Sequence, residues 1–582
     1  MNYTIRPYGR LKETIDFIKE NQLYDEELWK FAAEQFGSGL DSENEGWRGE
    51  YFGKLMRGAC LICKYTADEK LYKILTSAVR LLLTKAESDG RLSSYSRDKE
   101  FCGWDMWGRK YAAVGLEYYY DICKDENLKE QILRVLKGHL DYIIARIGVG
   151  NGQIPITRTS YALKGMNSSS ILKSFVVAYE LTGEKRYLDF AKCVISEGGF
   201  EGFDMFKAAY EDKIYPFDYP IRKAYEMISC FEGVLEYYKV TKDEKYLVTC
   251  VNFAKKIIKS ELTFIGSAAC LHEWFNHSTA TQTFDTPVNM QETCVTVSVM
   301  LYFYELYRVT RDKEYLDKIE YSFENAYIGA LNTNHSQNHF GFPFDSYSPL
   351  INRKRALKEA AGVQYMSNKR PYGCCSAIGA TGAGIILALI CEKDTDEEYA
   401  FRVYEEYSLL DGDREILAVK KTFGKQITRI EITIKENCEK VCRFRIPEWS
   451  DGYFATINGN QAFIEEKGGF IEVGKSFAVG DKITVSFKEK TEIVVGTDYG
   501  GHTNRFAVRK GGIVYAADAR FCDINETFAR NVKIEETNAP DGVYKSVKIS
   551  DENGVETMLV DYSSAGKTWD EKSKVSVWLN RE

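Results

Sequence analysis

Two adjacent cysteines, Cys374 and Cys375, stand between a loop and a run of small apolar residues. About 80 residues earlier, Glu292 and Cys294 precede another apolar stretch. Thiolates and a carboxylate are ligands that zinc accepts, so these four side chains brought together would form a Zn²⁺ site. The alternative is simple burial, because a free cysteine packs as a small hydrophobe. The residue types therefore predict a zinc site and leave open whether it is structural or reactive.

A general acid is suggested by Glu273, which stands between His272 and Trp274 after a segment of low charge. A carboxyl group beside aromatic surface loses hydration, which raises its pKa and suits it to donate a proton. Because Glu292 follows 19 residues later, a loop can return both carboxylates to one cleft. Glu273 is therefore the candidate acid/base.

Aromatic and charged residues alternate in two runs, 47–54 and 103–111. Sugars bind to the faces of aromatic rings, while charged side chains hold their hydroxyl groups. Tryptophans of the core with polar neighbours would give the same pattern, so each run taken alone leaves both interpretations open. The candidate substrate-binding residues are Trp104, Asp105, Trp107, Arg109, Lys110, His272 and Tyr372.

The composition limits the class of protein. A chain of 582 residues suggests two to four domains, and 44% apolar residues are enough for a large core. A net charge of −8 without a basic stripe makes nucleic acid an unexpected partner. We find neither a signal peptide nor a run of about 18 apolar residues, so we expect no membrane span. Fifteen cysteines without an export signal indicate a reducing compartment, and hence a cytoplasmic protein. A homodimer is one expected assembly.

The elements that must position these residues repeat along the first two thirds of the chain. Similar polar turns recur at Thr66, Lys124, Thr182, Thr241 and Thr310, in steps of 58, 58, 59 and 69 residues. Such a step predicts an array of helical hairpins, whose turn Thr or Asp residues cap the next helix. Six hairpins closed on themselves form an (α/α)6 toroid, and an open solenoid is the alternative. The long loop 332–361 favours the toroid, where it would act as a lid.

The pattern changes near residue 396 to short alternating strands separated by turns, as in 427–434 and 482–487. Such alternation is typical of β-sandwiches. We therefore predict three domains: an (α/α)6 barrel over residues 1–395, a β-sandwich over 396–498, and a second, smaller β unit over 499–582.

The ordered set of motifs resembles glycoside hydrolase family 127, typified by β-L-arabinofuranosidases. The combination of Glu292-Thr293-Cys294 with Cys374-Cys375 resembles the zinc signature of that family and is the most specific part. The resemblance extends in the right order over most of the chain. Its other motifs are Trp47–Lys54, Gly266-Ser267 followed by Glu273-Trp274-Phe275, Arg445–Trp449, and the segment from Asn504 to Tyr515.

The resemblance implies an (α/α)6 barrel with β-sandwich domains and a retaining glycoside hydrolase. It also implies the roles of single residues: Cys374 as a zinc-bound nucleophile, Glu273 as acid/base, and Glu292, Cys294 and Cys375 as the other zinc ligands. The implied substrate is a small oligosaccharide or glycoside. This chain is a divergent member, because it has only six histidines where the characterised arabinofuranosidases surround their sugar with several.

These differences from the family pattern bear on which sugar is bound more than on the reaction mechanism. At two positions where the family carries histidine, this chain has Arg109-Lys110 and Arg222-Lys223. An acidic sugar that pairs with Arg109 and Lys110 is one expectation. The second hypothesis is a non-hydrolytic carbohydrate-binding protein, epimerase or lyase of the same fold with a structural zinc.

Overall fold

The computed structural model describes residues 3–333, 342–355, 363–497, 504–570 and 572–582. Residues 334–341 and 356–361 of the loop predicted as a lid therefore lie outside the described residues. The α-helices occupy the first two thirds of the chain. They are α1 (Gly9–Ile18), α2 (Glu26–Glu34), α3 (Asp41–Asn44), α4 (Glu50–Thr66), α5 (Glu69–Leu83), α6 (Asp105–Ile122), α7 (Glu126–Ile144), α8 (Met166–Ser169), α9 (Leu172–Thr182), α10 (Lys185–Ser196), α11 (Met205–Glu211), α12 (Ala224–Thr241), α13 (Glu244–Ser260), α14 (Ser278–Thr281), α15 (Thr293–Thr310), α16 (Lys313–Ser322) and α17 (Cys374–Cys391).

In the described part of the chain, six inner helices form a closed ring. Helix α4 packs on α6, α6 on α9, α9 on α12, α12 on α15, α15 on α17, and α17 again on α4. Each of the first five is followed in sequence by an outer helix: α5, α7, α10, α13 and α16. The contact between α17 and α4 closes the ring, so the (α/α)6 toroid is confirmed. Helix α1 packs against α17, which makes the start of the chain a neighbour of the last inner helix.

Aspartates begin four of the five outer helices at the predicted turns, and α10 follows Glu184 without a side-chain cap. The side chains of Asp68 and Asp125 accept hydrogen bonds from the amides of Leu71 and Leu128, at 2.9 and 3.2 Å. Asp243 and Asp312 cap α13 and α16 in the same way. The cap prediction is confirmed for Asp. The threonines differ, since Thr66 instead donates to a carbonyl of its own helix.

Helix α17 corrects one expectation from the sequence. Its 18 residues are apolar enough, by length and composition, to cross a membrane, although the sequence was expected to contain no such run. Every residue of α17 is buried inside the protein. A helix that is apolar all round is expected where it is enclosed on all sides, as this inner helix is by α4 and α15.

Among the described residues, the strands form two large assemblies after the barrel and three small sheets within it. They are β1 (Thr4–Pro7), β2 (Gly199–Phe200), β3 (Phe203–Asp204), β4 (Leu271–His272), β5 (Met290–Glu292), β6 (Tyr347–Pro349), β7 (Val363–Tyr365), β8 (Pro371–Gly373), β9 (Glu398–Phe401), β10 (Tyr407–Asp411), β11 (Arg414–Gly424), β12 (Ile427–Ile434), β13 (Val441–Arg445), β14 (Ser450–Ile457), β15 (Asn460–Gln461), β16 (Ile464–Lys467), β17 (Phe470–Val473), β18 (Lys482–Glu489), β19 (Thr491–Val495), β20 (Arg505–Lys510), β21 (Ile513–Asp518), β22 (Thr527–Phe528), β23 (Val532–Thr537), β24 (Ser546–Asp551), β25 (Glu556–Asp561), β26 (Val575–Ser576) and β27 (Leu579–Arg581).

The middle region contains two sheets, with strand orders β1-β10-β11-β12-β18-β14-β15 and β16-β17-β13-β9. Strand β12 alternates half-buried and buried residues along its whole length, as one face packed on a core requires. The C-terminal sheet has the order β22-β27-β20-β21-β25-β24-β23.

Two strands differ from the predicted domain limits. Strand β1 lies at the start of the chain but pairs with β10 of the middle region. Strand β19 precedes the predicted boundary at 498/499, yet it pairs with β20 of the C-terminal sheet. Pairing partners are set by tertiary contacts rather than by composition, so neither assignment follows from the local sequence.

Candidate active site

The predicted metal ligands lie together at the start of two inner helices. Glu292 ends β5 and directly precedes α15, which contains Cys294 in its first turn. Cys374 and Cys375 are the first two residues of α17. One ligand atom from each of these four buried residues lies within 4.8 Å of the others, so the cluster could hold a metal ion. The N-termini of both helices also point positive ends of their dipoles at the sulfurs.

The three thiols are not equivalent. Hydrogen bonds from Cys294 and Cys375 hold the pKa of Cys374 well below its usual value, and the charges of Lys54 and Lys223 act in the same direction. Burial raises the pKa of Cys294 and of Cys375 well above the usual range. Cys374 is therefore the thiol that carries negative charge most readily, and a thiolate is the reactive form of cysteine.

A buried ion pair supports this cluster from α4. The Nζ of Lys54 lies 3.0 Å from Glu50 Oε2 and 3.8 Å from Cys294 Sγ, and 4.5 Å from the centre of the Tyr225 ring. Burial opposes the charge of Lys54, but Cys294 and Glu50 raise its pKa well above the usual value. Burial also raises the pKa of Glu50 to about 7. Trp107 Nε1 donates a hydrogen bond to Glu50, which fixes the orientation of its indole.

A small three-stranded sheet, β4-β5-β6, brings Glu273 to the cluster. Strands β4 and β5 are parallel, and β6 pairs with β5 so that Tyr347 lies opposite Glu292. Glu273 directly follows β4. It is 7% exposed, and Tyr347 Oη donates a hydrogen bond of 2.5 Å to its Oε1. Lys223 Nζ forms an ion pair with the other carboxylate oxygen.

These groups surround one cavity of about 140 Å³. Its wall includes the candidate nucleophile and the candidate acid/base, together with three tryptophans and two lysines. Its lining residues are Trp47, Glu50, Lys54, Trp104, Trp107, Lys223, Tyr225, Glu226, Glu273, Glu292, Cys294 and Cys374.

Several residues predicted to bind substrate lie elsewhere. Asp105 and Arg109 are fully buried and pair with each other at 2.9 Å, and Arg109 also pairs with Glu100. Because both charges are committed to partners inside the protein, we correct their assignment from substrate binding to structure. Lys110 packs against Trp107, 4.4 Å from its ring centre, outside the described lining of the cavity. Burial lowers the pKa of Lys110 to about 7.

Tyr372 and His272 also lie outside that lining. The hydroxyl of Tyr372 accepts from Gln22, and its carbonyl accepts from Tyr51, so it holds the segment before α17 in place. His272 lies 4.8 Å from the ring centre of Tyr347, and burial lowers its pKa. Both are therefore supporting residues of the site rather than part of its described surface.

Residues that the sequence analysis did not select complete the cavity. Glu50 and Lys54 lie in the run 47–54, which resembles a family motif, and their i, i+4 spacing on a helix was the available signal. Lys223 was noted only as a departure from a family histidine. Glu226 in the lining, and Tyr347 beside it, had no such signal. The Lys223 segment meets the Glu273 segment through a backbone bridge between residues about 50 positions apart.

Comparison with known proteins shows the family of the chain. The model of the β-L-arabinofuranosidase GH127 catalytic domain matches residues 10–383, and the GH127 middle-domain model matches 417–489. A non-reducing end β-L-arabinofuranosidase from Bifidobacterium longum subsp. longum is 21% identical, over 86% of this chain and 80% of that protein.

Two solved structures show the same fold over the whole chain. A GH127 β-L-arabinofuranosidase from Geobacillus stearothermophilus T6 is 16% identical with a TM-score of 0.71, over 100% of both chains. A second GH127 β-arabinofuranosidase is 16% identical with a TM-score of 0.72, over 100% of this chain and 97% of that one.

Proposed function

This chain belongs to glycoside hydrolase family 127 and is a glycoside hydrolase, and on that premise we propose that it hydrolyses β-L-arabinofuranosides or a related furanoside with retention of configuration. The observation that supports this best is that Cys374 and Glu273 line the same small cavity, beside a cluster of buried sulfur ligands. The choice of an arabinofuranoside as substrate is supported by the names of the related proteins.

The ligand cluster fits zinc. Two sulfurs about 2.3 Å from a tetrahedral zinc lie about 3.8 Å apart, and a sulfur and an oxygen ligand lie about 3.5 Å apart. Cys374 Sγ and Cys375 Sγ are 3.8 Å apart, and Cys375 Sγ is 3.5 Å from Glu292 Oε1. Zinc would be held by Glu292, Cys294, Cys374 and Cys375, and when bound it would keep the sulfurs deprotonated at neutral pH.

In the first half of the reaction, the Cys374 thiolate attacks the anomeric carbon. Glu273 in its protonated form gives its proton to the departing glycosidic oxygen, so the aglycone leaves as a neutral alcohol. A thioglycosyl bond to Cys374 forms and Glu273 becomes a carboxylate.

In the second half, the Glu273 carboxylate takes a proton from water, and the water oxygen bonds to the anomeric carbon. Cys374 leaves as a thiolate, and Glu273 is protonated again. Because each half inverts the anomeric carbon, the product retains the original configuration.

The cavity suits a neutral sugar better than the acidic sugar expected from Arg109 and Lys110. The cations that line it, Lys54 and Lys223, are each paired with a carboxylate. Glu226 Oε2 and Glu50 Oε1 are buried and have no hydrogen-bond partner in the described part of the chain, so both can accept from sugar hydroxyls. The tryptophans offer faces for the C–H side of the ring.

The test is Cys374→Ser, assayed with 4-nitrophenyl β-L-arabinofuranoside and a panel of other furanosides. We expect kcat/KM to fall by at least about a thousandfold, because a hydroxyl in place of the thiolate cannot act as the nucleophile. Cys193→Ser is the matched control, since Cys193 lies on outer helix α10, and it should keep full activity.

A second measurement identifies the attacking atom. In Glu273→Gln with a dinitrophenyl furanoside, the first half needs no proton and the second half lacks its base, so a glycosyl adduct should accumulate on the peptide containing Cys374. Full activity of Cys374→Ser, or an adduct on another residue, would overturn the mechanism.

A further inference from the structure

A backbone bridge fixes Lys223 beside the acid/base residue. The amide of Ala224 donates to the carbonyl of Glu273, and the amide of Phe275 donates to the carbonyl of Arg222, both at 2.9 Å. Lys223 and Trp274 are partners in this antiparallel bridge. The two segments are therefore held in register by the main chain, directly before α12, and the position of Lys223 does not depend on its side chain alone.

The side chains on Glu273 are arranged for its ionised form. Lys223 Nζ contacts Oε2 and Tyr347 Oη donates to Oε1. Both oxygens accept, and the Lys223 and Glu273 side chains are only 16% and 10% exposed. A carboxylic acid has one oxygen that must donate, so this pair of donors favours the carboxylate.

Other charged or titratable groups also face Glu273. Glu226 on α12, Glu292 on β5 and Cys374 on α17 line the same cavity. His272 precedes Glu273 in the chain and lies against Tyr347. The negative groups that share the cavity act against ionisation of Glu273, whereas Lys223 is in direct contact with it. An opposite charge at contact distance outweighs like charges farther away.

We propose that Lys223 is a positioning residue that keeps Glu273 ionised in the free enzyme, and so confines the acid-catalysed half of the reaction to acidic pH. The proposal rests on Glu273 being the acid/base. Lys223 takes no part in proton transfer. It stabilises the carboxylate that is left when Glu273 has given its proton to the aglycone, and that carboxylate then takes the proton of the attacking water. Lys223 thus favours the second half of the reaction over the first.

The experiment is the pH profile of kcat/KM for an alkyl furanoside, whose alcohol leaves only with a proton. The alkaline limb of this profile reports loss of the proton from the general acid. In Lys223→Met we expect this limb to move up by at least about one pH unit, because an adjacent cation shifts a carboxyl group by 1–3 units. On the alkaline side, kcat/KM should rise about tenfold over the wild type.

Three comparisons separate this role from a structural one. Lys223→Arg should keep the wild-type limb, because the cation remains. Arg222→Met removes the same charge from the neighbouring residue, whose guanidinium contacts the Phe217 carbonyl, and should also keep it. A dinitrophenyl furanoside needs no proton to leave, so its kcat/KM should lose the alkaline limb and be unaffected by Lys223→Met.

A substrate-free measurement serves if Lys223→Met does not fold. In wild-type protein with ¹³C-labelled glutamate carboxyls, the resonance absent from Glu273→Gln should titrate below about pH 4.3, the value for a free glutamate. Titration above that pH, or an unmoved limb in folded Lys223→Met, would overturn the role of Lys223. Failure of the proposed function looks different: Cys374→Ser or Glu273→Gln would then retain wild-type activity on the alkyl furanoside.

Discussion

The Glu50–Lys54 pair makes a quantitative prediction about the inner ring. Their side chains are 3% and 1% exposed, with Nζ and Oε2 3.0 Å apart. At an effective dielectric constant of about 20, that separation corresponds to about 5.5 kcal/mol of attraction. Lys54→Met leaves Glu50 buried without its cation, and losing one partner of a buried pair costs about 3–5 kcal/mol. The assay belongs at pH 8, where Glu50 is ionised because its pKa is about 7.

Thermal unfolding converts this cost into a temperature. The barrel extends from Gly9 to Cys391, and at about 2.1 cal/mol/K per residue its unfolding entropy is about 0.8 kcal/mol per degree. Lys54→Met should therefore lower the Tm of the barrel by about 4–6 °C, followed by circular dichroism at 222 nm.

The double variant provides the control. Glu50→Gln combined with Lys54→Met leaves no uncompensated charge in the pair, so it should recover most of the loss. A fall of less than 1 °C in Lys54→Met, or a double variant as unstable as Lys54→Met, would show that the pair is hydrated and would refute the reasoning.

Three further predictions concern the metal, pH and the domain contact. Cys294→Ser removes a sulfur ligand, so mass spectrometry of the purified protein should find less than about half an equivalent of zinc, and a full equivalent would contradict the site. Burial raises the pKa of Glu261 to about 7, above its usual 4.5, so its contribution to stability is complete below pH 4.5 and is lost as pH rises through 7. Between pH 4.5 and 7 the free energy of unfolding should fall by about 3 kcal/mol from this group. Glu261→Gln cannot ionise, so its Tm should fall less with pH over the same range, and the same fall as in the wild type would contradict this role of Glu261. Arg445 is fully buried against Asp317 of α16, so Arg445→Met should cost about 3–5 kcal/mol in urea unfolding, and a loss under 1 kcal/mol would contradict a dry contact.

The architecture was predictable because its signals repeat. The near-constant step between turns recurs along the barrel, and a capping aspartate begins four of the five outer helices α5, α7, α10, α13 and α16. The exception is α10, which Glu184 precedes without a side-chain cap. The alternation along β12 likewise marks a half-buried strand. Strand β1 carries only four residues, and its partner β10 lies about 400 positions away, so nothing local indicates its place in the sheet.

The cluster of candidate metal ligands was predictable from residue type, because adjacent cysteines at the start of an apolar helix are hard to explain by packing. The substrate residues were less predictable. Helix α6 is buried on nearly all sides, so its hydrophobic pattern does not show which side chains face the axis of the ring. Trp107 lines the cavity, whereas Arg109, two positions later, lies in the interior. On such a helix, spacing alone cannot assign a charged residue to the site.

The polar residues at the cavity were even harder to predict from the sequence. Charged residues are normally read as solvated, yet Lys54 is almost wholly enclosed. Lys223 and Tyr347 reach Glu273 from segments that precede and follow it by about 50 and 74 residues. Only the tertiary structure places both donors on one carboxylate.

The pairing of β1 with β10 has a consequence for how the protein is made. Residues 4–7 leave the ribosome about 400 residues before their partner, 407–410. At about 5–20 residues per second, translation of that interval takes roughly 20–80 s. Helix α1 waits almost as long for α17. The ring of inner helices therefore stays open, and the site around Cys374 incomplete, until most of the chain has been synthesised. A chaperone that shields exposed inner helices would act during this interval.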